Sequence, residues 1–557
     1  MFSLGIQNMM YYYCKKWYDQ IEQTLYLPVI VSLVFIAIRI FFFVVSDERG
    51  DDAATRVLMS RNILEHDIWI TAGIWLPLPF YLTAFGLMVF NEPTFTPRFL
   101  SLIYSLIFTI PYFYLVKREF STMAAVLSIL IIAFHITHIH YSIISYSDAL
   151  ALLLMFSCVY FFHKSFNKIE RQYRHLMIAS VMLALLCLTR YEGWILYMPF
   201  CLFLFIQRYT TTKDLVKSVS MTFGFGLLPA LCIAMWMLLN FIELGDPLYF
   251  HNFRSTHMDH SGKWFFESWN LTIQVGRNLA GWFWITTWQL GPLFIILTLA
   301  GVVGFIRKQQ HLLFMLTPTV IILFIVFLTL KDSLLISSRY TLYYTMFFIP
   351  IGIWTLHQMV QKYDPKIQAM MIIIVMFIHL AGNIGIYYYF KSFTEQNPSS
   401  VPVWKTGHKD LRYRYVVPDG YKQISFWLKD NLKASEKILI DDGPFASSIV
   451  LYGDLDDLTQ LNGGTRDFAK NVNNLYQRSQ VNSYKPHDYG STDEAIEDIT
   501  AYMKVYRPRY MLYYAKASLG AIFGFTDPCK PAIWYDMIFR CKYSESGYHI
   551  YEIDYPS

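Results

Sequence analysis

Hydrophobic residues along this chain gather into long runs separated by short polar links. A bilayer core takes about 20 apolar residues per helix. Runs of roughly that length lie at 26–45, 97–116, 122–140, 148–163, 175–189, 192–207 and 218–240, then at 285–306, 311–330, 341–359 and 368–389. The pattern predicts a polytopic α-helical membrane protein with about eleven transmembrane helices. Beyond residue 390 the pattern changes. Helix-like stretches (GYKQISFWLKDNL, STDEAIEDITAYMKVY) alternate with strand-like runs (EKILIDDG, PRYMLYYA), and GYHIYEIDY closes the chain. This alternation predicts a C-terminal α/β domain. The expected division is a membrane domain over 1–390, whose first outer loop (46–96) carries juxtamembrane helices, and a soluble domain over 391–557.

The charges in the links set the orientation. Lys15–Lys16, Lys117–Arg118, the stretch from Lys164 to Arg174, Arg208 to Lys217, Arg307–Lys308 and Lys362–Lys366 all fall on one side of the predicted spans. The positive-inside rule makes that side cytoplasmic. The N-terminus is then cytoplasmic, and the 46–96 loop and the C-terminal domain are exoplasmic. The first apolar run is too long for the core of a cleavable signal.

Composition strengthens the membrane reading and removes others. Charged residues make up 16% of the 557 residues and hydrophobic residues 55%, where a soluble domain carries about 25% charged residues. The net charge of +5 is spread over the loops, so nucleic acid is not an expected partner. Four of the seven cysteines (Cys158, Cys187, Cys201, Cys232) lie in apolar runs. Cys529 and Cys541 stand together in the polar tail and could pair if it faces an oxidising compartment.

Chemistry-bearing residues gather at the outer ends of the predicted spans. Asp51 and Asp52 follow the first span. Asp148 opens the fourth, where an aspartate can simply cap the helix start. Arg190 and Glu192, in LTRYEGW, join two spans with almost no loop between them. A charge at that depth must be paired or solvated, so the two either neutralise each other or shape a cleft. Arg339 and Tyr340, in SSRYTLYY, begin a later span, and His251 and Arg254 lie in the loop before residue 285. An outer-face guanidinium suits a lipid phosphate because it offers paired donors, although interfacial snorkelling also places arginine there. The spacing of His251, His257 and His260 matches no standard metal site, and neither metal nor other cofactor is expected.

These residues carry a family resemblance. Asp51-Asp52-Ala53, followed by Arg61-Asn62-Ile63-Leu64-Glu65, an aromatic and proline stretch from Trp75 to Tyr81, and Arg98, resembles the first outer loop of the GT-C membrane glycosyltransferases. The likeness is to the family-39 and aminoarabinose-transferase-like group, related to protein O-mannosyltransferases. There Asp51 falls on the acidic position and Asp52 replaces a glutamate. Asp148, LTRYEGW and SSRY resemble later signatures of the group, and the α/β tail resembles the exoplasmic domain of many members.

The resemblance implies a polyprenyl-phosphate monosaccharide donor, a hydroxyl acceptor on protein, lipid or glycan, and inversion at the anomeric carbon. It implies that Asp51 is the general base, with Asp52 or Asp148 in support. Arg339, Arg254 and Tyr340 would meet the donor phosphate, and Arg190, Glu192 and His251 would line the cleft. The expected location is the inner or plasma membrane of a prokaryote, or the endoplasmic reticulum of a eukaryote. A transporter or lipid-linked glycan flippase is the alternative. It would place charges near the bilayer midplane, on interrupted helices and in inverted repeats, whereas no internal repeat is visible and Arg39 is the main charge within a span.

Overall fold

The computed structural model describes residues 26–46, 51–65, 69–166, 172–251, 271–308, 311–330, 338–364, 367–368 and 370–382 of the N-terminal part. Of the C-terminal part it describes 419–433, 436, 438–440, 449, 451–452, 460–462, 503–504, 507–514, 531–534, 536–545 and 548–556. The helices run in the order α1 (Tyr26–Val44), α2 (Asp51–Glu65), α3 (Leu78–Phe90), α4 (Thr96–Glu119), α5 (Thr122–Ala133), α6 (Ile136–Ser142) and α7 (Asp148–Lys164). Then come α8 (Gln172–Cys187), α9 (Tyr191–Thr212), α10 (Leu215–Leu244), α11 (Leu271–Leu290), α12 (Pro292–Lys308), α13 (Leu312–Leu330), α14 (Ser338–Val360), α15 (Met370–Gly382) and α16 (Asp419–Asn431).

Each apolar run of the sequence is mainly helical in its described residues, two of them with a break. By length and apolarity, α1, α4, α10 and α13 can each cross a membrane, and two bent pairs raise the number to six among the described residues. The expected count of about eleven included shorter helices: α7 has 17 residues and α8 has 16. The expected spans at 122–140 and 285–306 are the two bent pairs, α5–α6, bent by 72°, and the α11–α12 pair, bent by 104°.

A broken helix in lipid must find new partners for its freed carbonyls. The α5–α6 break finds them in Arg39 of α1, the one charge the sequence placed within a span. Its guanidinium donates to the Ala133 and Ile132 carbonyls, both at 2.8 Å, and lies 2.9 Å from His138 Nδ1. Arg39 is fully buried, with its charge over the Phe35 ring. The α11–α12 break sits at Gly291, whose φ of +76° is open to glycine at little cost. Pro292 then opens α12, where a missing N–H does no harm. His379 of α15 packs on this break and hydrogen-bonds the Leu290 backbone. A Cβ at Gly291 would lie 3.4 Å from its Nδ1.

The chain divides into two compact units, residues 1–44, 101–143 and 147–414, and residues 45–100, 144–146 and 415–557. The first holds the candidate spans apart from the opening residues of α4. The second joins the first outer loop to the tail, so the loop that the sequence grouped with the membrane domain shares a core with the α/β domain. Ala54, Val57 and Leu58 of α2 pack with Ile424 and Leu428 of α16 and with Ile438, Tyr510, Leu512, Tyr548 and Ile550 of the sheet. Arg98, at the start of α4, donates to the Ser46 hydroxyl at 2.8 Å and is buried. Arg56 lies over the Trp75 and Phe80 rings, at 4.5 and 5.7 Å.

The sheet has six strands, β1 (Ile438–Ile440), β2 (Gln460–Asn462), β3 (Tyr510–Tyr514), β4 (Ala532–Trp534), β5 (Met537–Glu545) and β6 (Tyr548–Asp554), in the order β2-β1-β3-β6-β5-β4. β1 pairs parallel with β2 and β3, and the other pairings are antiparallel. The expected strands at EKILIDDG, PRYMLYYA and GYHIYEIDY are β1, β3 and β6. Most of the expected helix STDEAIEDITAYMKVY lies outside the described residues. Cys541 is disulfide-bonded. Cys529, the partner considered from sequence, also lies outside the described residues.

Candidate active site

The first unit brings four charged residues together from three places in the chain. Asp148 is the first residue of α7. It does not act as a cap: Ser147 holds the cap position and makes no side-chain capping bond. The Asp148 carboxylate instead reaches across to two arginines. Arg339, in the first turn of α14, donates Nε to both of its oxygens, at 3.0 and 2.8 Å. Arg190, the residue before α9, brings Nη1 to 3.1 Å from Oδ1. Tyr343, one helical turn beyond Arg339, donates its hydroxyl to Oδ1 at 2.9 Å. Asp148 is completely buried.

Arg190 also grips Glu192 in a bidentate pair, Nε to Oε2 at 3.0 Å and Nη2 to Oε1 at 2.9 Å. Its charge lies 5.3 Å from the Tyr343 ring centre and 5.9 Å from that of Tyr340. Two guanidiniums and two carboxylates cancel in formal charge. The balance matters because a buried ion without partners costs several kcal/mol. The Arg339 and Arg190 side chains keep 15% and 10% of their surface, whereas the Asp148 side chain keeps none.

Beside Arg190, Tyr191 stacks on Phe250 with ring centres 4.4 Å apart, and Trp194 meets the same ring edge-on at 5.2 Å. Trp194 is fixed by a 2.8 Å bond to the Cys187 carbonyl. His251 follows Phe250 and is exposed.

Of the residues singled out from sequence, Asp148, Arg190, Glu192, Arg339 and Tyr340 therefore come together. Asp51 and Asp52 begin α2, in the second unit, and their side chains lie outside the described residues, as does Arg254. Tyr343 was missed. Its signal is the four-residue spacing from Arg339, which puts both on one face of a helix. No group of three or more metal-ligating side chains occurs among the described residues.

Residues 76–238 match the model of the dolichyl-phosphate-mannose-protein mannosyltransferase family. No curated protein matches the chain by sequence. Among solved structures, the chain is similar to ArnT from Cupriavidus metallidurans bound to undecaprenyl phosphate, with a TM-score of 0.56, 12% identity and coverage of 94% of this chain and 97% of that one. It is also similar to the archaeal oligosaccharyltransferase AglB from Archaeoglobus fulgidus in complex with an inhibitory peptide and a dolichol-phosphate. There the TM-score is 0.50 and the identity 12%, covering 88% of this chain and 69% of that one. The chain has the GT-C fold of membrane glycosyltransferases.

Proposed function

We propose that this protein is an inverting glycosyltransferase that moves a monosaccharide from a polyprenyl-phosphate carrier to a hydroxyl acceptor at the exoplasmic face of its membrane. The observation that carries this reading is the pair of guanidiniums, Arg190 and Arg339, gathered on one buried carboxylate at the starts of two helices. Such an arrangement holds positive charge in place before an anion arrives, which is what a departing phosphate needs. The similarity to structures holding undecaprenyl phosphate and dolichol-phosphate supports the same class of donor. The disulfide at Cys541 supports an oxidising compartment for the tail.

In the reaction, the acceptor oxygen attacks the anomeric carbon from the face opposite the phosphate. The hydroxyl proton passes to a carboxylate, and the bond between the anomeric carbon and the phosphate oxygen breaks. Its electron pair leaves with polyprenyl phosphate. Phosphate is a good leaving group, so charge stabilisation serves it better than acid catalysis. The resemblance of the first outer loop assigns the base to Asp51, with Asp52 beside it. Asp148 is committed to two arginines and a tyrosine, so it serves by orienting them. Arg339 and Tyr340, with Arg254, would face the phosphate. Arg190, Glu192 and His251 would shape the cleft.

The test offers purified protein a panel of polyprenyl-phosphate sugars and follows release of free polyprenyl phosphate. A transferase releases it, and Asp51→Asn stops the release without loss of folded protein. A flippase moves the lipid with the sugar–phosphate bond intact, and that outcome would refute the proposal.

A further inference from the structure

A buried polar residue that joins the two broken spans is not one that the sequence singled out. Gln289 is the penultimate residue of α11, two residues before the Gly291 break, and is 3% exposed. A carboxamide has no use in an apolar core unless both its ends are satisfied. Here they are. Its Nε2 donates to Thr137 Oγ1 at 3.2 Å and to the Ser338 carbonyl at 2.9 Å, and its Oε1 accepts from Thr345 Oγ1 at 3.4 Å. Thr137 and Thr345 are themselves buried.

These partners are the supports of the ion pair. Thr137 lies in the first turn of α6, the short helix whose chain leads on to Asp148 at the start of α7. Ser338 is the first residue of α14 and immediately precedes Arg339. Thr345 lies two residues beyond Tyr343, the tyrosine that binds Asp148. One side chain therefore spans the limb that delivers the carboxylate and the limb that delivers the guanidinium. The break at Gly291 and Pro292 ends α11 at the level where Gln289 reaches both.

We infer that Gln289 is a positioning residue that sets the placement of Arg339 against Asp148, and through it the affinity for a lipid-linked phosphate. The inference rests on the proposed phosphate role of Arg339. Replacing Gln289 by methionine keeps the length of the side chain and removes both donors. The Ser338 carbonyl then keeps its bond from Thr341 Oγ1 within α14, at 2.9 Å, but loses the tie to α11, and the start of α14 is free to shift against it.

A double-mutant cycle on the full chain in nanodiscs tests this, with undecaprenyl phosphate as probe and undecaprenol as its uncharged control. Gln289→Met should weaken undecaprenyl phosphate binding roughly tenfold, a coupling ordinary for residues in one network. In an Arg339→Ala background the same change should matter by less than about twofold, and undecaprenol binding should not respond in either. Gln289→Glu, which keeps the shape but faces the Ser338 carbonyl with an acceptor, should reproduce the result if the methionine variant does not accumulate. An equal loss in both backgrounds, or an equal loss for undecaprenol, overturns the inference and leaves Gln289 a packing residue. A separate outcome concerns the functional reading. If the unaltered protein binds undecaprenyl phosphate no better than undecaprenol, or Arg339→Ala changes nothing, that reading falls and the inference with it, whatever Gln289 does.

Discussion

Arg339 and Asp148 are 191 residues apart in sequence, yet Nε of one lies 2.8 Å from Oδ2 of the other in a setting where the carboxylate touches no solvent. With Arg190 and Tyr343 on the same carboxylate, Asp148 is the anchor on which the first unit assembles its guanidiniums.

Removing that anchor should be costly in two ways. Asp148→Asn leaves two arginines without their common counterion in a buried place, a change worth about 3–5 kcal/mol. The melting temperature in detergent should fall, and binding of undecaprenyl phosphate should fall with it. A variant that melts like the parent and binds as tightly would show that the arginines are held by something else.

Arg39 makes a purely structural prediction. Its two 2.8 Å bonds reach the Ala133 and Ile132 carbonyls at the α5–α6 break. Arg39→Leu keeps the apolar surface but takes the arginine from the Ala133 carbonyl in a medium without water, at about 1–3 kcal/mol for a buried group left unsatisfied, while the Ile132 carbonyl keeps the His135 N–H at 3.1 Å. Thermal unfolding should report the loss directly, while undecaprenyl phosphate affinity of the protein that remains folded should change little. A loss of affinity greater than the loss of stability would place Arg39 in the site.

The tail has its own pH dependence. A hydrogen bond from Lys542, whose Nζ lies 2.7 Å from Oε2, holds the Glu552 carboxyl below the ordinary glutamate range, with Arg509 adding to the effect. Because the folded pKa is the lower one, the stabilisation is complete above the unfolded value of about 4.5 and is lost as pH falls through the folded value. The pair is partly exposed, so the effect is modest. Lys542→Met should lower stability slightly at pH 7 and leave it unchanged at pH values below the folded pKa, so the acid limb of the unfolding curve flattens, and the change should be small, as for a screened surface pair. An unchanged acid limb would remove Lys542 from that role.

What the sequence disclosed and what it hid follow from range. Apolar runs are local, so each appeared as a helix; β1, β3 and β6 were visible for the same reason. The charged residues of the candidate site were visible because charge at the end of an apolar run is conspicuous. Their roles were not. The pairing of Asp148 with Arg339 is a contact between distant residues, and an aspartate opening a helix looks locally like a cap. The bent pairs were read as single spans because a break at Gly291–Pro292 interrupts neither length nor apolarity. Gln289 gave no signal for the same reason: within TTWQLGP it is one polar residue at a helix end, and only the fold shows that Thr137, Ser338 and Thr345 meet there. β5 was missed because MIFRCKYSE mixes charged and apolar residues, as a strand paired on both edges with one solvated face does.

The proposed chemistry requires that Arg339 serve a lipid-linked phosphate. The most direct measurement is the affinity of the purified protein for undecaprenyl phosphate against undecaprenol, before and after Arg339→Ala. The expected result is a strong preference for the phosphorylated lipid that Arg339→Ala largely removes, with undecaprenol binding unchanged. Equal binding of the two lipids, or a preference that survives loss of the guanidinium, would contradict it.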